Sequence, residues 1–196
     1  MSGPEFLETA RLVLRRPIAA DGQRIYARYS SDPEVTKYVG WPMHRSIEET
    51  RAFLAFSEAE WNRWPAGPYL VECQSDRKLL GSTGLTFESP TVAATGYVLA
   101  RDAWGHGYAT EALAAVVGVA RQLGVRRLYA ICHANHRASI HVLEKCGFVL
   151  EDLLPGFADF PNLGSRQRED CLRYAQVFTG DAAGNAISET SPKISR

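Results

Sequence analysis

Two glycines, Gly105 and Gly107, stand between an apolar, strand-like segment and a helix-like segment, and this spacing indicates an anion-binding loop. Glycine has no Cβ, so its backbone can approach a ligand closely and adopt turns that other residues resist. The first N–H groups of the following helix have no internal partners, and the helix dipole adds partial positive charge there. The segment therefore predicts a site for phosphate or pyrophosphate that needs no lysine.

Three kinds of phosphate ligand compete for this loop. A Walker loop requires Gly-Lys-Ser/Thr, and it is excluded because Tyr108 follows Gly107. A dinucleotide-binding fold requires a third glycine and an acidic residue at the end of the next strand. Thr110 occupies the third-glycine position and the next strand ends in Cys132 and His133, so that interpretation is weak. The third interpretation is a loop for the pyrophosphate of coenzyme A.

Two segments carry a family resemblance: WGHGYATEA at 104–112 and ASIHVLEKCGF at 138–148. In this order, about one helix and one strand apart, they resemble the GNAT superfamily of N-acetyltransferases, especially its RimJ/RimL-like (ribosomal-protein-acetyltransferase-like) branch. The N-terminal stretches ARLVLRRP and SDPEVTKYVGW extend the resemblance over most of the chain. The resemblance implies an enzyme that moves an acetyl group from acetyl-CoA, its cosubstrate, to a primary amine by direct attack in a ternary complex. The alternative is a catalytically silent acyl-CoA-binding or regulatory module.

The resemblance also assigns residues to the cosubstrate. The amides of its pantetheine arm can pair with an open strand edge, here the strand with Tyr97, Val98 and Leu99, and a backbone N–H near Leu99 would face the thioester oxygen. An asparagine usually contacts the cosubstrate three positions before the serine of the second motif. This chain has His136 there and Asn135 one place earlier. The loop residues implied are Trp104, Gly105, His106, Gly107, Tyr108, Ala109 and Thr110.

Two residues are candidates for proton transfer. Ser139 matches the family serine and is expected to act as acid or relay toward the departing thiolate. Relatives often carry a glutamate where this chain has Ala94, so Glu88, at the end of the preceding strand, is the expected general base. Water could mediate its action, and no base is needed if the amine arrives neutral. Trp41 and Trp64, each followed by proline, are candidates for the wall of the acceptor pocket.

The elements that must position these residues fit an α/β (α+β) GNAT fold. The resemblance implies a mixed, mostly antiparallel central sheet of about six to seven strands, splayed between the fourth and fifth, with about four flanking helices. The sequence pattern predicts strands at 11–16, 69–74, 79–87, 96–100, 125–132, 148–151 and 170–178. Helices are predicted at 21–29, from Ser46 to before Pro65, at 108–123 and at 137–145.

Composition limits the remaining possibilities. The 196 residues suit one domain at 1–178, followed by a Gly-, Ala- and Ser-rich tail at 179–196 that we expect to be disordered. The net charge of +0 gives no global field for nucleic acid. We find no membrane-length apolar run, secretory leader or metal-ligand spacing, and the four cysteines form no C-x-x-C pair. A cytoplasmic protein, monomer or homodimer, that binds no metal, nucleic acid or membrane is expected, with a small molecule or a protein N-terminus supplying the amine.

Overall fold

An eight-stranded mixed sheet forms the centre of the molecule. The computed structural model describes residues 2–165 and 167–179. The strands are Phe6–Glu8 (β1), Leu12–Arg15 (β2), Pro68–Cys73 (β3), Leu79–Ser89 (β4), Val92–Leu99 (β5), Arg127–His133 (β6), Val149–Ala158 (β7) and Glu169–Val177 (β8). Their order in the sheet is β1-β2-β3-β4-β5-β6-β8-β7. Neighbours are antiparallel except β5 and β6, which are parallel.

Five α-helices flank the sheet. They are Gly22–Ile25 (α1), Pro33–Thr36 (α2), Ile47–Arg63 (α3), Tyr108–Gln122 (α4) and Arg137–Lys145 (α5). Short 3-10 turns lie at Ala19–Asp21 and Arg101–Ala103, and a π-helical turn lies at Tyr26–Ser30. The helix predicted at 21–29 is thus divided, with only its first residues α-helical.

Both faces of the sheet bury apolar side chains. On one face, α4 packs Leu113 and Val116 into a core with Tyr69 and Val71 of β3. On the other, Leu70 of β3 packs with residues of α1 and α3 such as Ile25 and Leu54. Alternation along β3 follows from the two-residue period of a strand. The sheet is therefore a rigid layer between two groups of helices.

The sheet is splayed between β5 and β6. Only Val92, Ala93 and Ala94 of β5 pair with β6, opposite Arg127, Leu128 and Tyr129. From Thr95 onward β5 continues its pairing with β4 alone. The two strands separate from this point, as the resemblance predicted. They are the fifth and sixth strands rather than the fourth and fifth because the short β1 was not predicted.

The helix ends agree with the capping residues predicted from sequence, with one difference at the start of α3. Gly124, at φ 78°, follows α4, and Gly147, at φ 80°, follows α5, as predicted. Ser46 precedes α3, but its hydroxyl makes no cap hydrogen bond. Glu49 instead accepts from the Arg45 N–H, 2.6 Å away. The predicted disordered tail lies outside the described residues, except for its first position.

Candidate active site

The glycine loop places an array of N–H groups at the start of α4. Gly105 and Gly107 have φ of 77° and 79°, a left-handed conformation that favours glycine. The first intrahelical bond joins the Glu111 N–H to the Gly107 carbonyl at 3.1 Å. The N–H groups of residues 108–110 precede that bond, so they are the ones that a helix leaves for an external acceptor. The loop has the geometry of an anion cradle, as the sequence predicted.

Arg11, in the turn between β1 and β2, holds this loop from the side. Its Nη1 donates to the His106 carbonyl at 2.9 Å, and its Nε donates to the Glu111 carboxylate at 2.7 Å. The guanidinium also lies 4.6 Å from the centre of the Tyr108 ring. Burial acts to raise the pKa of Glu111, but hydrogen bonds from Thr9 and Arg11 outweigh it and lower that pKa. Glu111 therefore stays ionised and keeps Arg11 in place.

The open edge of β5 carries backbone groups that no neighbouring strand pairs with. The Ala100 N–H donates to the Leu80 carbonyl at 2.7 Å, so Ala100 faces β4. Backbone direction alternates along an antiparallel strand, so the N–H and C=O of Leu99 face the opposite side, toward the splay. The Trp104 indole donates to the Leu99 carbonyl at 2.7 Å. The Leu99 N–H is thus directed into the opening.

Ser139 meets Tyr97 across the splay. The Tyr97 hydroxyl donates to the Ser139 carbonyl at 2.9 Å and lies 3.0 Å from Oγ of the same residue. Burial raises the pKa of Tyr97, while the hydrogen bond with Ser139 acts in the opposite direction. The phenol therefore remains protonated at neutral pH and links β5 to the first turn of α5.

A single cleft of about 1200 Å³ joins these parts. Its other end is lined by aromatic residues of the N-terminal half, among them Tyr38, Trp41, Phe53 and Phe56. Most of the residues predicted from sequence line it: Tyr97, Val98, Leu99, Trp104, Gly105, Gly107, Tyr108, Ala109, Thr110, His136 and Ser139. The cleft therefore connects the anion cradle, the open edge of β5 and an aromatic chamber.

Besides Glu88, three predicted residues do not line the cleft. His106 turns its Nδ1 to the Trp104 carbonyl, 2.7 Å away, and stacks on Tyr108, so the loop uses its backbone. The exposed Asn135 donates its backbone N–H to Nδ1 of His133 at 3.0 Å. Trp64 stacks on Phe87, 5.5 Å between ring centres, and belongs to the core. Trp41 alone of the two predicted tryptophans lines the cleft.

Glu88, the predicted base, requires a correction. It is exposed and lies outside the cleft lining, and the Tyr129 hydroxyl donates to its carboxylate. The pairing explains this: β4 and β5 are joined there through Phe87↔Ala93, and β5 still pairs with β6. Glu88 is therefore at the closed end of the wedge, and the opening begins beyond Ala94.

Asn162, which the sequence pattern did not single out, fixes the wall of the aromatic chamber. Its amide nitrogen donates to the carbonyls of Thr36 and Trp41 at 2.7 and 2.9 Å. Its oxygen accepts from the Met43 N–H at 2.8 Å. One side chain from the β7–β8 connection thus holds the segment between α2 and α3. No local pattern indicates such a role, because the partners are about 120 residues away in sequence.

Comparison with known proteins agrees with this geometry. Residues 11–149 match the family described as "Acetyltransferase (GNAT) domain". The chain is 30% identical over 151 residues to the uncharacterized N-acetyltransferase YoaA of Bacillus subtilis (strain 168), covering 76% of this chain and 85% of that protein. It is 28% identical to the uncharacterized N-acetyltransferase p20 of Bacillus licheniformis, covering 76% and 85%. The protein belongs to the GNAT acetyltransferase family and is an acyltransferase.

Solved structures share the fold. One is the ribosomal L7/L12 α-N-protein acetyltransferase RimL in complex with coenzyme A, with a TM-score of 0.78, 23% identity, and coverage of 88% of this chain and 98% of that one. Another is the microcin C7 self-immunity acetyltransferase MccE in complex with acetyl-CoA and AMP, with a TM-score of 0.76, 18% identity, and coverage of 87% and 94%. Within the described residues, no helix combines the length and apolarity that a membrane span requires.

Proposed function

We propose that this protein transfers the acetyl group of acetyl-CoA to a primary amine, by direct attack of the amine within a ternary complex. The observation that carries the proposal is the splay between β5 and β6, which opens the Leu99 edge into the same cleft as Ser139 and the Gly107 loop. An anion cradle, an open strand edge and a hydroxyl group then lie along one path.

The residues present fit acetyl-CoA. The left-handed Gly105 and Gly107 present the N–H groups that begin α4, which suit a pyrophosphate. The edge of β5 offers backbone partners for the amides of a pantetheine arm. The Leu99 N–H faces the opening, where it would donate to the thioester oxygen as that oxygen gains negative charge, and one such donor stabilises a transition state by about 3 kcal/mol.

Direct attack is favoured over an acyl-enzyme. Cys132 is the cysteine that lines the cleft. Burial raises the pKa of its thiol to about 11, and the neighbouring Cys171 acts in the same direction. At neutral pH this thiol is therefore protonated and a weak nucleophile. Ser139 supplies a hydroxyl beside the path of the leaving sulfur, and Tyr97 fixes its position.

The aromatic chamber is our proposed acceptor site. Tyr38, Trp41 and Phe56 line it together with the carboxylates of Glu34 and Glu49. An amine with an apolar body would be bound by the rings and attracted by the carboxylates. Both a small-molecule amine and a protein N-terminal α-amine have this chemistry.

Thiol release from acetyl-CoA with a panel of amines tests the proposal. The panel would include amino acids, polyamines, aromatic amines and peptides with free N-termini, and mass spectrometry would confirm N-acetylation. We expect turnover with at least one class. Acetyl-CoA binding by calorimetry without turnover on any class would instead support the silent acyl-CoA-binding module.

A further inference from the structure

We infer that His136 is the group that accepts the proton from the incoming amine, a role that deepens the proposed function and rests on it. His136 directly precedes α5 and lines the cleft together with Ser139. His136 is the N-cap residue of α5 and Ser139 lies in the first turn of that helix, so the imidazole and the hydroxyl belong to the same end of α5.

The ring of His136 is held in a defined orientation. It stacks on Tyr38, with 4.7 Å between ring centres and an interplanar angle of 24°. Tyr38 comes from the segment that Asn162 fixes, so the wall of the acceptor chamber and the imidazole are one packed unit. The hydrogen bonds within the described residues leave both ring nitrogens of His136 available to a ligand.

The surroundings favour the neutral imidazole, which is the form that can take a proton. Burial lowers the pKa of His136, and the nearby His133 lowers it further. The N-terminus of α5 adds partial positive charge and acts in the same direction. Tyr38 is a titratable group in contact with the ring, and the charged Arg137 follows His136 as the first residue of α5. Lys37 lies over Tyr38 and Glu169 faces His133, so each of these two charged residues is separated from His136 by one intervening side chain.

His133 itself is unsuited to the role. It is 4% exposed, and its Nδ1 accepts the Asn135 N–H at 3.0 Å, which leaves the proton on Nε2. That Nε2 lies 3.7 Å from the Glu169 carboxylate. His44 also lines the cleft, but its Nδ1 is paired with the Thr50 hydroxyl at 2.9 Å. His141 of α5 also lines the cleft, but it is exposed. His136 is half-buried at the start of α5, and its ring nitrogens make no hydrogen bond within the described residues.

The proposed step is balanced as follows. The ammonium group of the acceptor first passes one proton to His136. The neutral nitrogen then attacks the acetyl carbonyl carbon, a C–N bond forms, and the C–S bond breaks. The nitrogen loses its second proton to solvent, and the sulfur takes up a proton through the Ser139 hydroxyl. Solvent then restores the serine proton and removes the proton from the imidazolium. No oxidant, reductant or metal is required.

The substitution His136→Asn separates a base from a cosubstrate contact, because asparagine can hydrogen-bond but cannot accept a proton in this pH range. We expect kcat/KM for the amine to fall about 100-fold at pH 7. The loss should shrink toward higher pH and vanish near the pKa of the amine, because the variant can use only the neutral amine. Wild-type activity should fall only at a pH below about 6.5, the usual pKa of histidine. His44→Asn is the matched comparison, and any loss it causes should be the same factor at every pH.

Nuclear magnetic resonance gives a readout that needs no turnover. The ring resonances of His136 can be assigned because they are absent from the spectrum of His136→Asn. With coenzyme A bound, these resonances should titrate below about pH 6.5. An imidazolium at pH 7 would overturn the inference. The inference would also be overturned if the ratio of wild-type activity to His136→Asn activity were the same at every pH. If the variant also bound acetyl-CoA more weakly, His136 would be a cosubstrate contact rather than a base. If the wild-type protein turns over no amine, the proposed function fails as well; if it does, only the role of His136 has failed.

Discussion

Replacing Gly107 by alanine tests the anion cradle, and Gly124→Ala is its matched control. Both glycines flank α4, and their φ angles are 79° and 78°. A Cβ at Gly107 would have its nearest neighbour, Nη2 of Arg11, at 3.5 Å, an ordinary contact. A Cβ at Gly124 would meet nothing within 4 Å. The two substitutions therefore introduce the same backbone strain without a clash, but Gly107 alone lines the cleft.

The expected magnitudes follow from this geometry. A left-handed conformation costs a residue with a Cβ about 1–2 kcal/mol. In a chain of this size, that lowers the melting temperature by about 2–8 °C, and we expect similar shifts for both variants. At Gly107 the strain is relieved by moving the first N–H groups of α4. Losing one hydrogen bond to an anion costs about 1.5–3 kcal/mol, so acetyl-CoA should bind roughly 10- to 150-fold more weakly.

Calorimetric titration with acetyl-CoA and thermal unfolding of the same preparations measure the two effects separately. The expected pattern is equal loss of stability in both variants and loss of affinity only in Gly107→Ala. Wild-type affinity in both variants would refute the cradle, since the strain at Gly107 would then have no consequence for acetyl-CoA binding. Loss of affinity in both would mean that the fold of α4, rather than its N-terminus, controls binding.

Three further predictions concern side chains around the cleft. Ser139→Ala should lower kcat more than it raises the KM for acetyl-CoA, because the hydroxyl matters most as charge develops on sulfur; a changed KM with unchanged kcat would reduce it to a binding residue. Arg11→Met should weaken acetyl-CoA binding by roughly fivefold, the loss of about 1 kcal/mol from one hydrogen bond to the His106 carbonyl, and calorimetry would contradict this if affinity were unchanged. Glu88→Gln should leave turnover and its pH profile unchanged, because Glu88 is paired with Tyr129 outside the cleft; a large loss of turnover in that assay would restore Glu88 as the base.

The backbone geometry of the glycine loop could be predicted because its determinants are local in sequence. Gly105 and Gly107 report the backbone conformation directly, since few other residues adopt a positive φ. The same holds for the helix that follows, and for Ser139 in the first turn of α5. In each case the local backbone conformation is set by residues within a few places, while Arg11 and Tyr97 add contacts from distant positions.

The errors fall where the position depends on distant partners. Glu88 stands on β4 at a register shift between Phe87 and Ser89, and its carboxylate accepts from Tyr129 of β6, across the intervening β5. Arg11 finds Glu111 across 100 residues of sequence. A sequence pattern predicts the type of an element and the period of its buried residues. The partner of an exposed side chain depends on the order of strands in the sheet, which cannot be read from local periodicity.

The two halves of the site therefore depend on the sequence in different ways. In the proposed function the cradle and the Leu99 edge bind through backbone atoms. Trp104 could then occupy a loop position where relatives often have glutamine or arginine, provided that the glycine conformations are kept. Proton transfer depends on side chains, so the change to His136 alters chemistry rather than shape. If His136 takes the proton, the empty position at Ala94 is compensated from the opposite side of the wedge, by the residue that precedes α5 instead of one on β5. The pH dependence of His136→Asn would then identify a general base that cannot be inferred from the glycine loop or the strand edge.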